Sequence, residues 1–565
     1  MTKRDVFVLR CPGDRCKECP DLTVSTCSKL FCFRNDGMSR AVILEPERNL
    51  IHVGGLTDSF PVDPPWYSDC WESVYVHDYA ELLDTENSLV DVYVVDSYLI
   101  LFYNGVNETG FLHRTYPLVK SPLEYGLLNE LSDNIHRQMQ SLTDSRVTLS
   151  DRLRHMSQSV SDDIMQTLPE LSDITRKRIS DVVAGRTSVL GPLLPLLLDD
   201  EIEEIYVDGP GTPAYFDHRR FGRCRSNFEL QHSDIERFVT LIRAESNLRL
   251  DRRNPSLKTD LRLFDVVLRL AITIPPLSHD GVHLEIRRAK KFPFSISDLI
   301  RNQTVGSEAA AILLLALSSR FNITITGGPG TGKTTLLNAL DMGTPSMWRK
   351  VYIEDAVESR IVRDHHQVRI RVDPVDETSK RFDKSGEIVK SLHRSPDYLI
   401  LGEIQTREHS EALFQAIAAG LRTMQTCHSY SAASLVSRWT AGHMIETTSI
   451  ALMDLIVTME RPIPGKSYRR VSDIVEVRKA IIDGSLRFSG LNTVYSCRSS
   501  NELKWAEDGA FLFHSREVGL DSHVPALDAI VRCIEEEMGS FLGKAKLPLG
   551  DRLWERGHPM RFLGV

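Results

Sequence analysis

Apolar and polar residues change rhythm several times along this 565-residue chain, and each change predicts a different kind of element. Between Val90 and Phe102 (VDVYVVDSYLILF) β-branched and aromatic residues dominate, which predicts strand. From Leu127 to about Ala184 the pattern turns polar and helical. The pairs Ser132-Asp133, Ser161-Asp162 and Ser172-Asp173 offer caps for helix starts there. Pro192 and Pro195 then punctuate the chain. Short strands and turns follow over 199–300, as in EIEEIYVDGPGTPAYFDHRRFGR, which reads as an α+β module. Residues 305–320 predict a helix, Phe321–Thr326 (FNITIT) a short buried strand, and Thr335–Leu340 (TLLNAL) the opening of another helix. From there to about 460 strands and helices alternate, as a parallel α/β sheet requires. One amphipathic helix is predicted near Ala526–Met538, and no internal repeat or long low-complexity region interrupts the chain.

The strand at 321–326 and the helix at 335–340 enclose the clearest chemistry in the sequence. Residues 327–335 read GGPGTGKTT, a complete G-x-x-x-x-G-K-[ST] phosphate-binding loop from Gly327 to Thr334. Gly327, Gly328, Pro329, Gly330, Thr331 and Gly332 can turn the backbone so that successive N–H groups face phosphate oxygens. The helix after the loop adds its positive end. Lys333 can reach the β- and γ-phosphates, the Thr334 hydroxyl can ligate Mg²⁺, and Thr335 continues the helix. ATP with Mg²⁺ is therefore the expected ligand.

Two strand ends carry acids downstream. VYIEDAVES (Val351–Ser359) ends in Glu354 and Asp355, either of which could orient or deprotonate an attacking water. PDYLILGEI (Pro396–Ile404) places Glu403 at the end of an apolar strand, where a Mg²⁺-linked acid belongs in a phosphate-loop fold. His428 follows a further β-like run and could sense the γ-phosphate. Taken singly, each of these is as readily a solvated strand end or a surface residue; their order along the chain gives them weight.

Composition narrows the class. With 42% hydrophobic and 26% charged residues the chain reads as globular, and its length predicts three or four domains. A net charge of −9 argues against a bulk nucleic-acid binder. The most apolar run, Ala309–Leu317, is about half the length that spans a bilayer. The N-terminal apolar run is too short for a signal peptide, so a cytoplasmic place is expected. Five of ten cysteines fall in the first 32 residues, at Cys11, Cys16, Cys19, Cys27 and Cys32. Their spacing could hold Zn²⁺ or an iron–sulfur cluster, or form an arm that binds nothing.

Together the motifs resemble the secretion-motor ATPase superfamily, which serves type II and type IV secretion, type IV pili and archaella. IEDAVE (353–358) is similar to the family's acid-rich box, SPDYLILGEI (395–404) to its Gly-Glu strand, and AAGLRTMQTCHSYSAAS (418–434) to its histidine box. Upstream, IPPLSHDGVHLEIRRAKKFPFSISDLI (Ile274–Ile300) resembles the end of the family's second N-terminal domain and puts Arg287 at a motif position. Family arginines from that domain close the nucleotide cleft, which implies Arg287, with Arg262 and Arg269 as further candidates. The PP-x-S…IRR form and FQA (Phe414–Ala416) are closer to archaeal motors. The chain departs from the pattern at Gln405, where the family has Arg, and at Ala419-Gly420-Leu421, where it has T-G-H. The paired CxxC motifs that bacterial assembly motors often carry inside the ATPase domain are replaced here by cysteines at the N-terminus.

The resemblance implies an α/β fold: a RecA-like P-loop NTPase domain towards the C-terminus, a preceding α+β (PAS-like) N-terminal domain, and a small Cys-rich N-terminal module. The expected boundaries are 1–40 (Cys-rich), 41–125 (mixed α/β), 126–189 (helical), 190–303 (α+β), 304–500 (ATPase) and 501–565 (extension). It also implies an ATP hydrolase in which Lys333 holds phosphates and Thr334 and Glu403 hold Mg²⁺. Glu354 would polarise water, His428 report the γ-phosphate and Arg287 stabilise transition-state charge. The implied partners are five further copies in a hexamer and a membrane platform protein, with pilin-like subunits engaged indirectly at the cytoplasmic face of the membrane. Nucleic acid is not an expected partner. Two other readings stay open: a nucleic-acid translocating motor for conjugation or DNA uptake, and a weakly active regulatory ATP-binding module.

Overall fold

The computed structural model describes residues 5–9, 39–45, 48–56, 71–78, 88–104, 110–138, 148–246, 248–288, 294–355, 358–359, 361–362, 365–373, 382–498 and 503–539. The cysteine cluster at 11–32 lies outside the described residues. The chain divides into two units, Met1–Lys291 with Gly465–Ser467, and Phe292–Pro464 with Tyr468–Val565.

The first unit is built on two sheets. Strands β1 (Asp5–Leu9), β2 (Ser39–Glu45), β3 (Leu50–Leu56) and β4 (Trp71–Tyr75) form an antiparallel meander. The run at 90–102 is a hairpin of β5 (Ser88–Val95) and β6 (Tyr98–Asn104), turned at Asp96 with φ 52°. After β7 (Phe111–Pro117) come the helices α1 (Pro122–Gln138), α2 (Leu149–Thr167), α3 (Asp173–Thr187) and the short α4 (Leu194–Leu198). Of the three Ser-Asp pairs only Ser172 caps a helix, accepting from Thr175 N at 3.3 Å. Ser132 sits inside α1 and donates back to the Leu128 carbonyl, and Ser161 lies within α2. Thr148 caps α2 instead. A serine inside a helix can satisfy its hydroxyl on the preceding turn, so the pair alone does not mark a start.

The unit continues through β8 (Ile202–Val207), β9 (Pro213–His218), β10 (Gly222–Glu229), α5 (His232–Ser246), β11 (Ser256–Leu263), β12 (Val266–Thr273) and β13 (His283–Arg288). These strands join the earlier hairpin in one nine-stranded sheet of order β11-β12-β13-β8-β9-β10-β7-β6-β5. Only the β10–β7 pair in this sheet is parallel, and it joins the 88–117 segment to the 202–288 segment. β12 alternates strictly between buried and half-buried residues, the signature of a sheet with one face on the core.

The second unit opens with α6 (Ile296–Arg301) and α7 (Ser307–Ser318). Every residue of α7 from Ala309 to Ser318 is buried, which explains why its sequence is apolar all round. The unit then alternates: β14 (Ile323–Gly327), α8 (Lys333–Met342), β15 (Lys350–Glu354), β16 (Gln367–Arg371), α9 (Lys384–Lys390), β17 (Tyr398–Ile404), α10 (Arg407–Ala418), β18 (Thr423–His428), α11 (Ala432–Ser437), α12 (Thr447–Ile450) and β19 (Leu455–Glu460). The long hairpin β20 (Arg470–Ile482) and β21 (Ser485–Ser496) completes an eight-stranded sheet of order β16-β15-β17-β18-β14-β19-β20-β21. Its β16-to-β19 part is parallel and the hairpin antiparallel. Helices α13 (Ala510–Glu517) and α14 (Val524–Gly539) close the unit. Residues of α14, among them Ala526 and Ile530, share a core with α7 and β14. The α/β character is therefore direct, with mixed sheets in both units. Among the described residues, no helix is long and apolar enough to cross a membrane.

Candidate functional site

Parallel strands end on the same edge of a sheet, and in the second unit the carboxyl ends of β14, β15, β17 and β18 gather the motif residues there. β14 is wholly buried and stops at Gly327, whose φ is 151°. A Cβ at Gly327 would lie 2.4 Å from the Met459 carbonyl oxygen and 2.7 Å from Thr331 Oγ1, so only glycine fits. Gly330 and Gly332 take φ of 67° and 93°, the left-handed region that other residues avoid. Thr331 Oγ1 donates to the Gly328 carbonyl at 2.9 Å and closes the loop, while Pro329 and Gly330 stay exposed. Lys333 is the first residue of α8, and Thr334 and Thr335 come next, half-buried, on its first turn.

Lys333 is buried, and its ammonium donates to the carbonyls of Gly327 at 3.2 Å and Gly328 at 2.8 Å. It also lies 3.1 Å from His428 Nδ1. Strand register causes this contact, because His428 on β18 is the direct partner of Gly327 on β14. An ammonium can only donate, so Nδ1 accepts and the ring proton sits on Nε2. That nitrogen lies 2.6 Å from Glu403 Oε1. Gln405 Nε2 donates to Glu403 Oε2 at 2.7 Å. Burial pushes the Glu403 carboxyl up, but the adjacent His428 imidazole, the Gln405 hydrogen bond and the Lys333 charge outweigh it and hold the pKa at about 2. Lysine, imidazole and an ionised carboxylate thus stand in one row beside the phosphate loop.

The other acids are placed differently. Glu354 ends β15 and is 3% exposed. Its Oε1 accepts from the amides of Glu358 at 3.1 Å and Ser359 at 2.9 Å, and its Oε2 from the Ser359 hydroxyl at 2.5 Å. Burial raises its pKa, and these donors oppose the rise. Gly402 lets β17 lie against it, since a Cβ there would meet Glu354 Cγ at 3.3 Å. Asp355 pairs with Lys384 Nζ at 3.1 Å, and the same ammonium donates to the Glu403 carbonyl at 2.8 Å. Arg438 donates to the carbonyls of His428 at 2.7 Å and Gln405 at 2.6 Å, tying the ends of β18 and β17 together.

Sequence reading missed Ser359, Lys384 and Arg438. None stands in a pattern that distinguishes it from a surface residue, and Lys384 is identified by its 2% exposure alone. Arg287 lies in the first unit, exposed on β13, with Nε 3.6 Å from Glu204 Oε1. Arg269 is its cross-strand neighbour and has Nε 3.7 Å from Asp260 Oδ1, and Arg262 is exposed on β11. Among the described residues, no group of three or more His, Cys, Asp or Glu could hold a metal ion by itself. A magnesium ion is still compatible with the site. Thr334 offers a hydroxyl and Glu403 an ionised carboxylate, both hard oxygen ligands, and Mg²⁺ takes its remaining oxygens from water and phosphates.

Comparison with known proteins fits this geometry. The family model described as "Type II/IV secretion system protein" matches residues 200–458. An uncharacterized protein of Methanocaldococcus jannaschii is 31% identical over 183 residues, covering 32% of this chain and 67% of that protein. The chain belongs to the type II/IV secretion ATPase superfamily. A type IV secretion system protein of Bordetella pertussis, PtlH, is 27% identical over 321 residues, which are 50% of this chain and 93% of that protein. The VirB11 ATPase from the Brucella suis type IV secretion system matches at 20% identity, with a TM-score of 0.26 over 52% of this chain and 95% of that one. The chain spans 43% and 52% of the length of two further M. jannaschii relatives. The phosphate loop, Glu354, Glu403 and His428 all fall inside the stretch that matches the secretion ATPase model, and Arg461 onward lies past its end.

Proposed function

We propose that this chain is an ATP hydrolase that converts hydrolysis into movement at a membrane, driving assembly of a pilus-like filament or secretion of protein. The observation that carries it is the row of Lys333, His428 and Glu403, since it sets a cation, a polarisable imidazole and an ionised carboxylate beside one loop. In this reading the 327–332 amides and Lys333 bind phosphates, and Thr334 and Glu403 hold Mg²⁺, which supplies charge neutralisation on the transferring phosphoryl group. Glu354 orients water; burial raises its proton affinity, as suits a base. His428 exchanges its contact with Lys333 as the loop fills, and so reports the state of the nucleotide to Glu403. Arg287 is the candidate for stabilising transition-state charge.

The ATPase unit is RecA-like, the working form is a homo-hexamer of the archaeal branch, and the partner is an integral membrane platform protein. Both the first matching relatives and the PP-x-S…IRR pattern support that branch. Zn²⁺ or an iron–sulfur cluster at the N-terminal cysteines belongs to the same proposal. The test is Mg·ATP hydrolysis by the purified chain against Lys333→Ala. Turnover should fall by about a hundredfold or more in the variant, as loss of a phosphate-stabilising charge requires. Tight ATP binding with equal turnover in both proteins would instead support the regulatory module.

A further inference from the structure

Two arginines that belong to none of the motifs flank the phosphate loop from its other side. β14 and β19 pair in parallel, with Gly327 opposite Met459, so the chain leaving Met459 runs alongside the phosphate loop leaving Gly327. β20 then returns antiparallel, with Arg470 opposite Glu460, which brings Arg469 back to the same sheet edge. The outcome is close packing. A Cβ at Gly330 would lie 3.8 Å from Arg461 Nη1. One at Gly332 would lie 3.5 Å from Arg469 Cδ and 3.5 Å from Met459 Cε. Gly330 and Gly332 are the two loop residues with left-handed φ below 100°, so the arginines reach the turns that aim amides inward.

We propose that Arg461 and Arg469 contact the nucleotide phosphates, forming with Lys333 a three-cation grip contributed by a single unit. Resting on the ATPase reading, it names further binding residues for that site. The chemistry suits the position. Guanidinium presents forked donors that match phosphate oxygens and keeps its charge at any working pH. Arg461 and Arg469 are both half-buried, where charge is screened less than at an open surface. At the same edge Glu460 holds Arg470 at 2.6 Å and also pairs with Arg498. The grip should tell a triphosphate from a monophosphate, because added phosphates meet added cations.

Isothermal titration of the full chain with Mg·ATP, ADP and AMP tests this, using Arg461→Gln, Arg469→Gln, Lys333→Ala and, as a distant control on β21, Arg487→Gln. Each glutamine at 461 or 469 should weaken ATP by about tenfold or more, AMP by far less, with lysine at either position restoring part of the loss. Thermal melting confirms that each variant is folded. If Lys333→Ala loses ATP while folded Arg461→Gln and Arg469→Gln bind as the parent does, the grip is wrong and the ATPase reading survives. If the parent itself binds no ATP, both fall together.

Discussion

Glu403 shows how a single residue is tuned by its neighbours. Its carboxyl is held at about 2 against an ordinary value of 4.5, although burial alone would raise it. A depressed carboxyl contributes stability at pH above its unfolded value, and the contribution is lost as pH falls through the folded one, here between about 4.5 and about 2. Gln405 supplies one of the responsible donors at 2.7 Å. Gln405→Leu should therefore return the carboxyl towards its ordinary value and move the acid limb of ATP hydrolysis to higher pH. Rate against pH from about 2 to 8 measures this, and an acid limb that stays where the parent's lies would sink the assignment. Glu354 presents the opposite case. Its sequence neighbourhood marks an acid at a strand end, but only the fold reveals that three donors from residues 358–359 hold it.

Between elements, the contacts that shape the site come from residues that carry no signature. Lys384 opens α9 and joins two strand ends, through the Asp355 carboxylate on one side and the Glu403 carbonyl on the other. Removing one partner of a buried ion pair costs about 3–5 kcal/mol. The Asp355 side chain is 19% exposed, and solvent screening reduces the cost of Lys384→Met to about 2–3 kcal/mol. The urea midpoint should fall with an unchanged slope, and hydrolysis should fall with it as the Glu403 backbone loses its tether; a variant with the parent's midpoint would show that the tether carries no load. The phosphate loop, the strand and helix around it, and the strand ends bearing Glu354, Glu403 and His428 were all legible because each rests on local spacing. The apolar run of α7 and the amphipathic run of α14 were legible for the same reason. What stayed hidden is long-range. The parallel β10–β7 pair joins Cys224 to Phe111 in one sheet, and the register that sets His428 on Gly327 depends on a pairing of similar reach. Lys384, Arg438, Arg461 and Arg469 acquire their neighbours only through such long-range pairing, and Ser132 misleads because its hydroxyl, inside a helix, is satisfied on the preceding turn.

For the whole molecule, the division of the core matters most. Residues from Tyr75 to Ile286 form one large apolar cluster that lies wholly in the first unit. The second unit has its own two clusters on either side of its sheet, one including α7, α8 and α14 and the other α10 and Trp439. Separate cores permit separate cooperative transitions, as multidomain chains commonly display. The nucleotide site, from the phosphate loop to Glu403 and His428, is made of residues in the second unit alone. A ligand stabilises only the state that binds it, by about 2.7 kcal/mol when present at a hundred times its dissociation constant. Differential scanning calorimetry should therefore resolve two transitions, and Mg·ATP should raise one of them by several degrees while leaving the other in place. Lys333→Ala should cancel that rise. Limited proteolysis at intermediate temperature identifies which unit has melted, and the surviving fragment with ATP present should contain residues 323–428. A single transition that moves as a whole with ATP would mean that the two cores unfold as one cooperative body, and that binding in the second unit is felt throughout the chain.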